Sequence, residues 1–451
     1  MTLPSANSMP LTRRLVLQQA WPIILATASV PLLGMVDSAV IGHYGSTDEL
    51  AALALGALFF NFVYWGFGFL RMATTGFVAR ASGAGDRHQL VAAVLRPLLL
   101  GLGIGMALCL LQWPLAWGFH TVMAAGPAVS ASSQDYVLVR IWGAPAALAL
   151  YALCGALIGQ GRSAALLAVQ LLLNGSNALL DIYLAGWLGL GVYGIGLGTA
   201  LAEWGSCLFA LWLVWRCPLP GRSAAPLVAA TVWRKLLGDR VAWRQMWVAN
   251  GDLLVRTVCL LAGFAWFARL GGQLGAATLA ANHLLLQLVA FSAFFLDGFA
   301  HVAEARVGAA LGGNARGSLR RIVRVTSELA LLSALLLSAL LWLGGAPLLG
   351  LLTSLDEVLV LAHAQLPWVA LYVLLSVAAF QLDGVCIGAM ATAAMRRAAV
   401  CSLLVFLPAA WLGQHYAGNP GLWAAMLVFV VARAVFLWPA WHRLQAGPAL
   451  P

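Results

Sequence analysis

Long apolar runs, each broken by a short cluster of Gly, Pro and charged residues, fill almost the whole chain. About 20 residues of helix cross a bilayer core, and runs of that length or more recur near 15–41, 50–79, 91–118, 137–159, 164–186, 192–216, 243–268, 278–304, 322–344, 365–389, 397–415 and 421–441. The pattern predicts twelve membrane-spanning helices. The first run follows Arg13-Arg14 and is too long for the core of a cleaved signal, so it is expected to remain as an uncleaved span. The longest polar connection, residues 217–242, falls at the midpoint and divides the chain into lobes 1–216 and 243–451.

A constant shift of 229 residues relates the two halves. It superposes Leu50-Ala51-Ala52 on Leu279-Ala280-Ala281, Phe62 on Phe291, Gly83 on Gly312 and Arg87 on Arg316. Further on it superposes Gly155 on Gly384, Ile158 on Ile387 and Gly159 on Gly388. A repeat of six helices keeps both copies in one orientation. The expected fold is therefore an all-α polytopic membrane protein of two six-helix lobes, related by a pseudo-two-fold axis along the membrane normal.

Composition agrees. The 451 residues are 62% hydrophobic and 9% charged, against about 25% charged in soluble domains. The net charge of +10 is not spread evenly. Arg13, Arg14, Arg80, Arg87, Arg162, Arg222, Arg234, Lys235, Arg316, Arg320, Arg321, Arg324, Arg396 and Arg443 fall on one set of alternate connections. The opposite set holds only Arg140 and Arg269, with Asp48, Glu49, Asp135, Asp356 and Glu357. The basic side is cytoplasmic by the positive-inside rule, which puts both termini there. The charge serves loops at lipid, and no basic–aromatic motif points to nucleic acid. The seven cysteines lack metal-ligand spacing and read as small apolar residues.

The chemistry is expected at polar residues inside the apolar runs. Asp37, Asp181 and Asp383 each occupy a span, where a carboxylate costs roughly 2.5–3.5 kcal/mol on insertion scales. At about 1.5 Å per residue, Asp37, Asp181 and Thr199 all reach the outer half of the membrane. Asn174, Asn177 and Asp181 share one helical face. Two carboxylates brought together in low dielectric do not both ionise cheaply, so one is expected to hold a proton near neutral pH. Their oxygens, with Asn177 and Thr199, could instead surround a sodium ion. Pro22 and Pro31 interrupt the helix that carries Asp37.

The shift puts Leu403, Phe406 and Ala410 opposite Asn174, Asn177 and Asp181, and Trp266 near Asp37, so the repeat has diverged where the chemistry is expected. Its own charges include Asp252 and Arg256, spaced as an intrahelical pair, with Asp297 and a mid-helix Asp383. Arg71 lies deep in the second span, and Glu203 and Glu304 carry no assigned role. Walker-type, HExxH and Gly-x-Ser-x-Gly motifs do not occur, which leaves no machinery for an ATP-driven pump or a hydrolase.

Several of these segments resemble multidrug and toxic compound extrusion (MATE) transporters. They are Trp21-Pro22 through Val36-Asp37-Ser38-Ala39-Val40-Ile41-Gly42-His43, Leu70-Arg71-Met72-Ala73-Thr74-Thr75-Gly76 with Gly83-Ala84-Gly85-Asp86, and Asn-x-x-Asn-x-x-x-Asp at 174–181 followed by Gly191-Val192-Tyr193-Gly194 and Thr199. Asp383-Gly384-Val385-Cys386-Ile387-Gly388 is similar to the tenth helix of the DinF-like (DNA-damage-inducible F) branch. The resemblance implies a multi-pass antiporter of a bacterial cytoplasmic membrane. It would export organic, often cationic or amphiphilic, compounds against protons or sodium ions, with no cofactor and with a monomer sufficing. It further implies a cation site at Asp37, Asn177, Asp181 and Thr199, with Pro22 at a bend of the first helix. Asn174, Arg71, Asp383 and Arg256 remain candidates for the substrate cavity or for gating. Three alternatives stay open. A lipid-linked-saccharide flippase of the same wider superfamily would use Arg71 and Arg256 as cavity cations. The others are a membrane-embedded enzyme and a passive channel.

Overall fold

A computed structural model describes residues 11–123, 126–216 and 238–446. Most of the 217–242 connection, with Arg222, Arg234 and Lys235, lies outside the described residues. Among the described residues, eleven helical stretches are long and apolar enough to cross a membrane. The longest, Thr392–Ala446, contains non-helical backbone at Gly418 (φ 62°, ψ −138°) and comprises two spans, which brings the total to twelve.

The spans run longer than hydropathy suggests. Ala276–Gly312 has 37 residues, about 55 Å of helix against a hydrocarbon core of about 30 Å. The fourth span begins at Pro127, whose missing N–H suits the first turn of a helix, and continues to Gly159. It starts ten residues before the position that apolarity marked. Arg140, counted above with the outer connections, lies thirteen residues inside this helical stretch.

The described residues form two compact units. One contains 25–216 and 238–245; the other contains 11–24 and 246–446. One boundary follows the polar connection, at 245/246, and the other falls inside the helix Arg13–Ala28, so the start of the first span belongs with the second half of the chain. Packing explains this. Gly298 on the eighth span has no room for a Cβ, because the Ile24 side chain and the Ala20 carbonyl lie against it. Arg306 Nε also donates to Gln19 Oε1 at 3.1 Å.

Inside the units the 229-residue repeat persists in the backbone. A Cβ on Gly155 would collide with the Arg71 carbonyl, and one on its counterpart Gly384 with the Ala300 carbonyl. Gly159 and Gly388 repeat this closeness against the carbonyls of Thr75 and Glu304. Left-handed residues recur at the same shift: Gly85 and Asn314 (φ 68° and 56°), Gly161 and Met390 (69° and 52°), Gly189 and Gly418 (67° and 62°).

Candidate functional site

The first span is two helices, Arg13–Ala28 and Val30–Tyr44, parted at Ser29. Pro31 cannot donate a backbone hydrogen bond, and its ring crowds the carbonyl four residues back. The helix passes through Pro22 unbroken, so the interruption lies at Ser29, ahead of Pro31. Asn174 on the fifth span donates through Nδ2 to the Ser29 carbonyl at 3.0 Å. The break is thus tied to the helix that carries Asn177 and Asp181.

Beyond the break, Asp37, Asn177, Asp181 and Thr199 meet in the first unit, and all four are buried. Asn177 Nδ2 donates to Thr199 Oγ1 at 3.0 Å, and Thr199 Oγ1 donates to the Ile195 carbonyl at 2.9 Å. The Asp37 and Asp181 side chains face each other as a carboxyl pair beside Asn177. Gly198 makes the approach possible, since a Cβ there would stand 2.6 Å from Asp181 Oδ1. Immediately after Asp181 the helix widens into a π-helical turn, Ile182–Trp187, with Leu188 N bonded to Tyr183 O at 3.0 Å. Such turns re-aim a helix and recur at functional sites.

Asp37 Oδ1, both Asp181 oxygens and Asn177 Oδ1 are buried and receive no hydrogen bond among the described residues. An orphaned buried acceptor costs roughly 1–3 kcal/mol, and more when charged. One proton shared by the carboxyls would satisfy two of these oxygens. A small hard cation would draw on the same oxygens.

The fourth and sixth spans bring further polar groups near the carboxyl pair. The Arg140 guanidinium donates to the Tyr136 hydroxyl and lies 4.5 Å from the centroid of the Phe60 ring. Tyr136 fits because Gly56 has no Cβ to occupy its ring position. Asp37 and Glu203 both lie within electrostatic reach of Arg140. Glu203 packs on Gly143 and keeps Oε2 without a donor among the described residues. The Pro at the helix start was the signal for this segment. Arg71 lies apart from the carboxyl pair, near Tyr151 and Cys154.

The second unit handles charge differently. Arg256 and Arg433 both donate to Asp383 Oδ2, at 2.5 and 2.6 Å. Asp252 does not pair with Arg256: it binds Arg396 at 2.7 Å and accepts from Thr392 Oγ1 at 2.8 Å. Interhelical partners thus replace the i, i+4 pair expected from spacing. Where the first unit has Asn177 and Asp181, the second has Phe406, with its ring 4.8 Å from that of Phe429, and a fully buried Ala410. Among the described residues no group of three His, Cys, Asp or Glu side chains is placed to hold a metal.

Known proteins show the same arrangement of chain. The MatE family model matches residues 22–183 and 254–412. DNA damage-inducible protein F of Escherichia coli is 34% identical over 94% of this chain and 91% of its own length. A probable multidrug resistance protein NorM of Pseudomonas putida is 27% identical over 93% and 92%. The crystal structure of the Vibrio cholerae MATE transporter VcmN in its bent form superposes with a TM-score of 0.81 at 21% identity, covering 96% of this chain and 97% of that one. The chain is a twelve-span membrane transporter, not an enzyme, and belongs to the MatE family.

Proposed function

We propose that this transporter is a secondary antiporter in which Asp37, Asp181, Asn177 and Thr199 bind the coupling cation while an organic compound leaves by alternating access. The observation that carries this reading is the convergence of four donor-less buried oxygens from the first and fifth spans, in a chain of the MatE family. The broken first span supplies the mechanical link. Asp37 lies two turns beyond Ser29, and Asn174 grips that break from the helix bearing Asp181. Neutralising the carboxyl pair removes the repulsion that holds the two helices at one separation, and the segment beyond Ser29 re-packs.

A proton is the favoured ion, because a carboxyl pair needs only one to become a donor and an acceptor. Sodium is the second reading, supported by the Asn177 and Thr199 oxygens. The exported compounds on this reading are organic, often cationic or amphiphilic; relatives named for multidrug resistance support the export of drug-like compounds. With Arg256 committed to Asp383, the cavity cations that a saccharide flippase needs are reduced. The basic connections face the cytoplasm and one chain makes the working unit.

The decisive measurement is exchange of a labelled organic cation in proteoliposomes under imposed pH or sodium gradients. Asp37→Asn is expected to lose gradient-driven exchange by at least about a hundredfold, about 2.7 kcal/mol of coupling. Full activity in that variant would refute the site. Uptake that never becomes concentrative under any gradient would make the protein a channel.

A further inference from the structure

Four arginines of the second unit line one concavity. Arg13, at the start of the first helix, and Arg320, Arg321 and Arg324, in the first turns of Leu319–Leu352, bound a cavity of about 550 Å³ with Gly317 and Glu328. That volume lies within the range of small-molecule sites. The charge is poorly compensated. Glu328 is the one carboxylate in the lining, and Arg13 engages it through Nη2 at 2.7 Å and Nε at 3.3 Å. No carboxylate among the described residues pairs with Arg320, Arg321 or Arg324, all of which are exposed. Arg320 and Arg324 are one turn apart, so their like charges repel.

An apolar track continues from the cavity. Leu331, Leu332, Leu335 and Leu336 are exposed along the same helix, about two to three turns beyond Arg324. A cationic cup at the end of an apolar span, opening onto an exposed leucine face, matches a molecule with an anionic head and acyl chains. Basic pockets between helices are known to take such headgroups.

We propose that this cavity binds a phosphate-bearing anion, supplied by the headgroup of an anionic phospholipid docked along the ninth span. Free inorganic phosphate shares the headgroup's chemistry and is the other source. Recognition is by the forked guanidinium donors, which match phosphate oxygens in pairs. The site is separate from the Asp37–Asp181 pair and stands whatever ion drives transport.

Native mass spectrometry and tryptophan-quenching titrations on the full chain test it, with phosphatidylglycerol, phosphatidylcholine and inorganic phosphate as probes. Wild type should hold phosphatidylglycerol at least about tenfold more tightly than phosphatidylcholine at low salt. Arg320→Gln/Arg321→Gln/Arg324→Gln should abolish that preference, Arg324→Gln alone should reduce it, and Glu328→Gln should strengthen it several-fold. Phosphate binding that the triple variant abolishes, without a lipid preference, keeps the anion site and assigns it a soluble source. If neither probe distinguishes wild type from the arginine variants, the site does not exist.

Discussion

The two halves share a backbone and have opposite interiors. At one crossing of the fifth and sixth spans sit Asn177, Asp181 and Thr199 beside Asp37. At the equivalent crossing of the eleventh and twelfth sit Phe406, Phe429 and Ala410. The helix path is the same, down to the left-handed glycines Gly189 and Gly418, so it does not require the acids. The first half spends stability on orphaned oxygens, and the second recovers it as dispersion between aromatic rings. At this crossing the orphaned oxygens occur in one copy only, as the proposed cation site requires. The buried carboxylates Asp252 and Asp383 of the second half are instead paired with arginines.

This contrast can be broken at several points. The largest effect is expected at Asp383→Ala, which strands two buried guanidiniums. Loss of one partner of a buried pair costs about 3–5 kcal/mol, so the variant should unfold at clearly lower temperature in a detergent thermal-shift assay. A variant as stable as wild type would show that the trio is not structural. Phe406→Ala comes next, with about 3 kcal/mol lost to the cavity. Coupled exchange per folded molecule should survive it, and loss of coupling would erase the distinction drawn between the halves.

Asn177→Ala is expected to act the other way. It removes a donor to Thr199 and an orphaned oxygen, so stability should change little while ion-driven exchange falls about tenfold, or about 1.4 kcal/mol. Flux assays paired with unfolding curves separate the two quantities. Asn174→Ala should have the smallest effect, about 1 kcal/mol for one hydrogen bond to the Ser29 carbonyl. Faster hydrogen exchange confined to the residues around 29 would register it, and unchanged exchange there would dismiss the grip.

Much of this was legible in the chain because membranes impose simple rules. Spans must be apolar and long, and the 3.6-residue period puts Asn174, Asn177 and Asp181 on one face. The repeat was legible because Gly155, Gly159, Gly384 and Gly388 sit where backbones touch, and no other residue fits there. What escaped was tertiary. The polar segment Pro127–Arg140 has the composition of a loop, and neighbours on the second and sixth spans make it helical core. The same is true of Asp252 and Arg256: spacing gave them to each other, whereas Arg396 and Asp383 stand nearer. Two prolines in one helix looked equivalent, yet only Pro31 follows a break.

The turn after the tenth span repeats the turn after the fourth with a different residue at its left-handed position. In the first copy the left-handed position is Gly161, which adopts it freely; in the second it is Met390, for which a left-handed backbone costs roughly 1–2 kcal/mol. The hydrogen bonds across the turn are nonetheless the same, Arg162 N to Leu157 O at 2.9 Å and Ala391 N to Cys386 O at 2.8 Å. The path is the same in both copies although the residue at the turn differs. Helices packed on either side, not the turn itself, now dictate where the chain reverses.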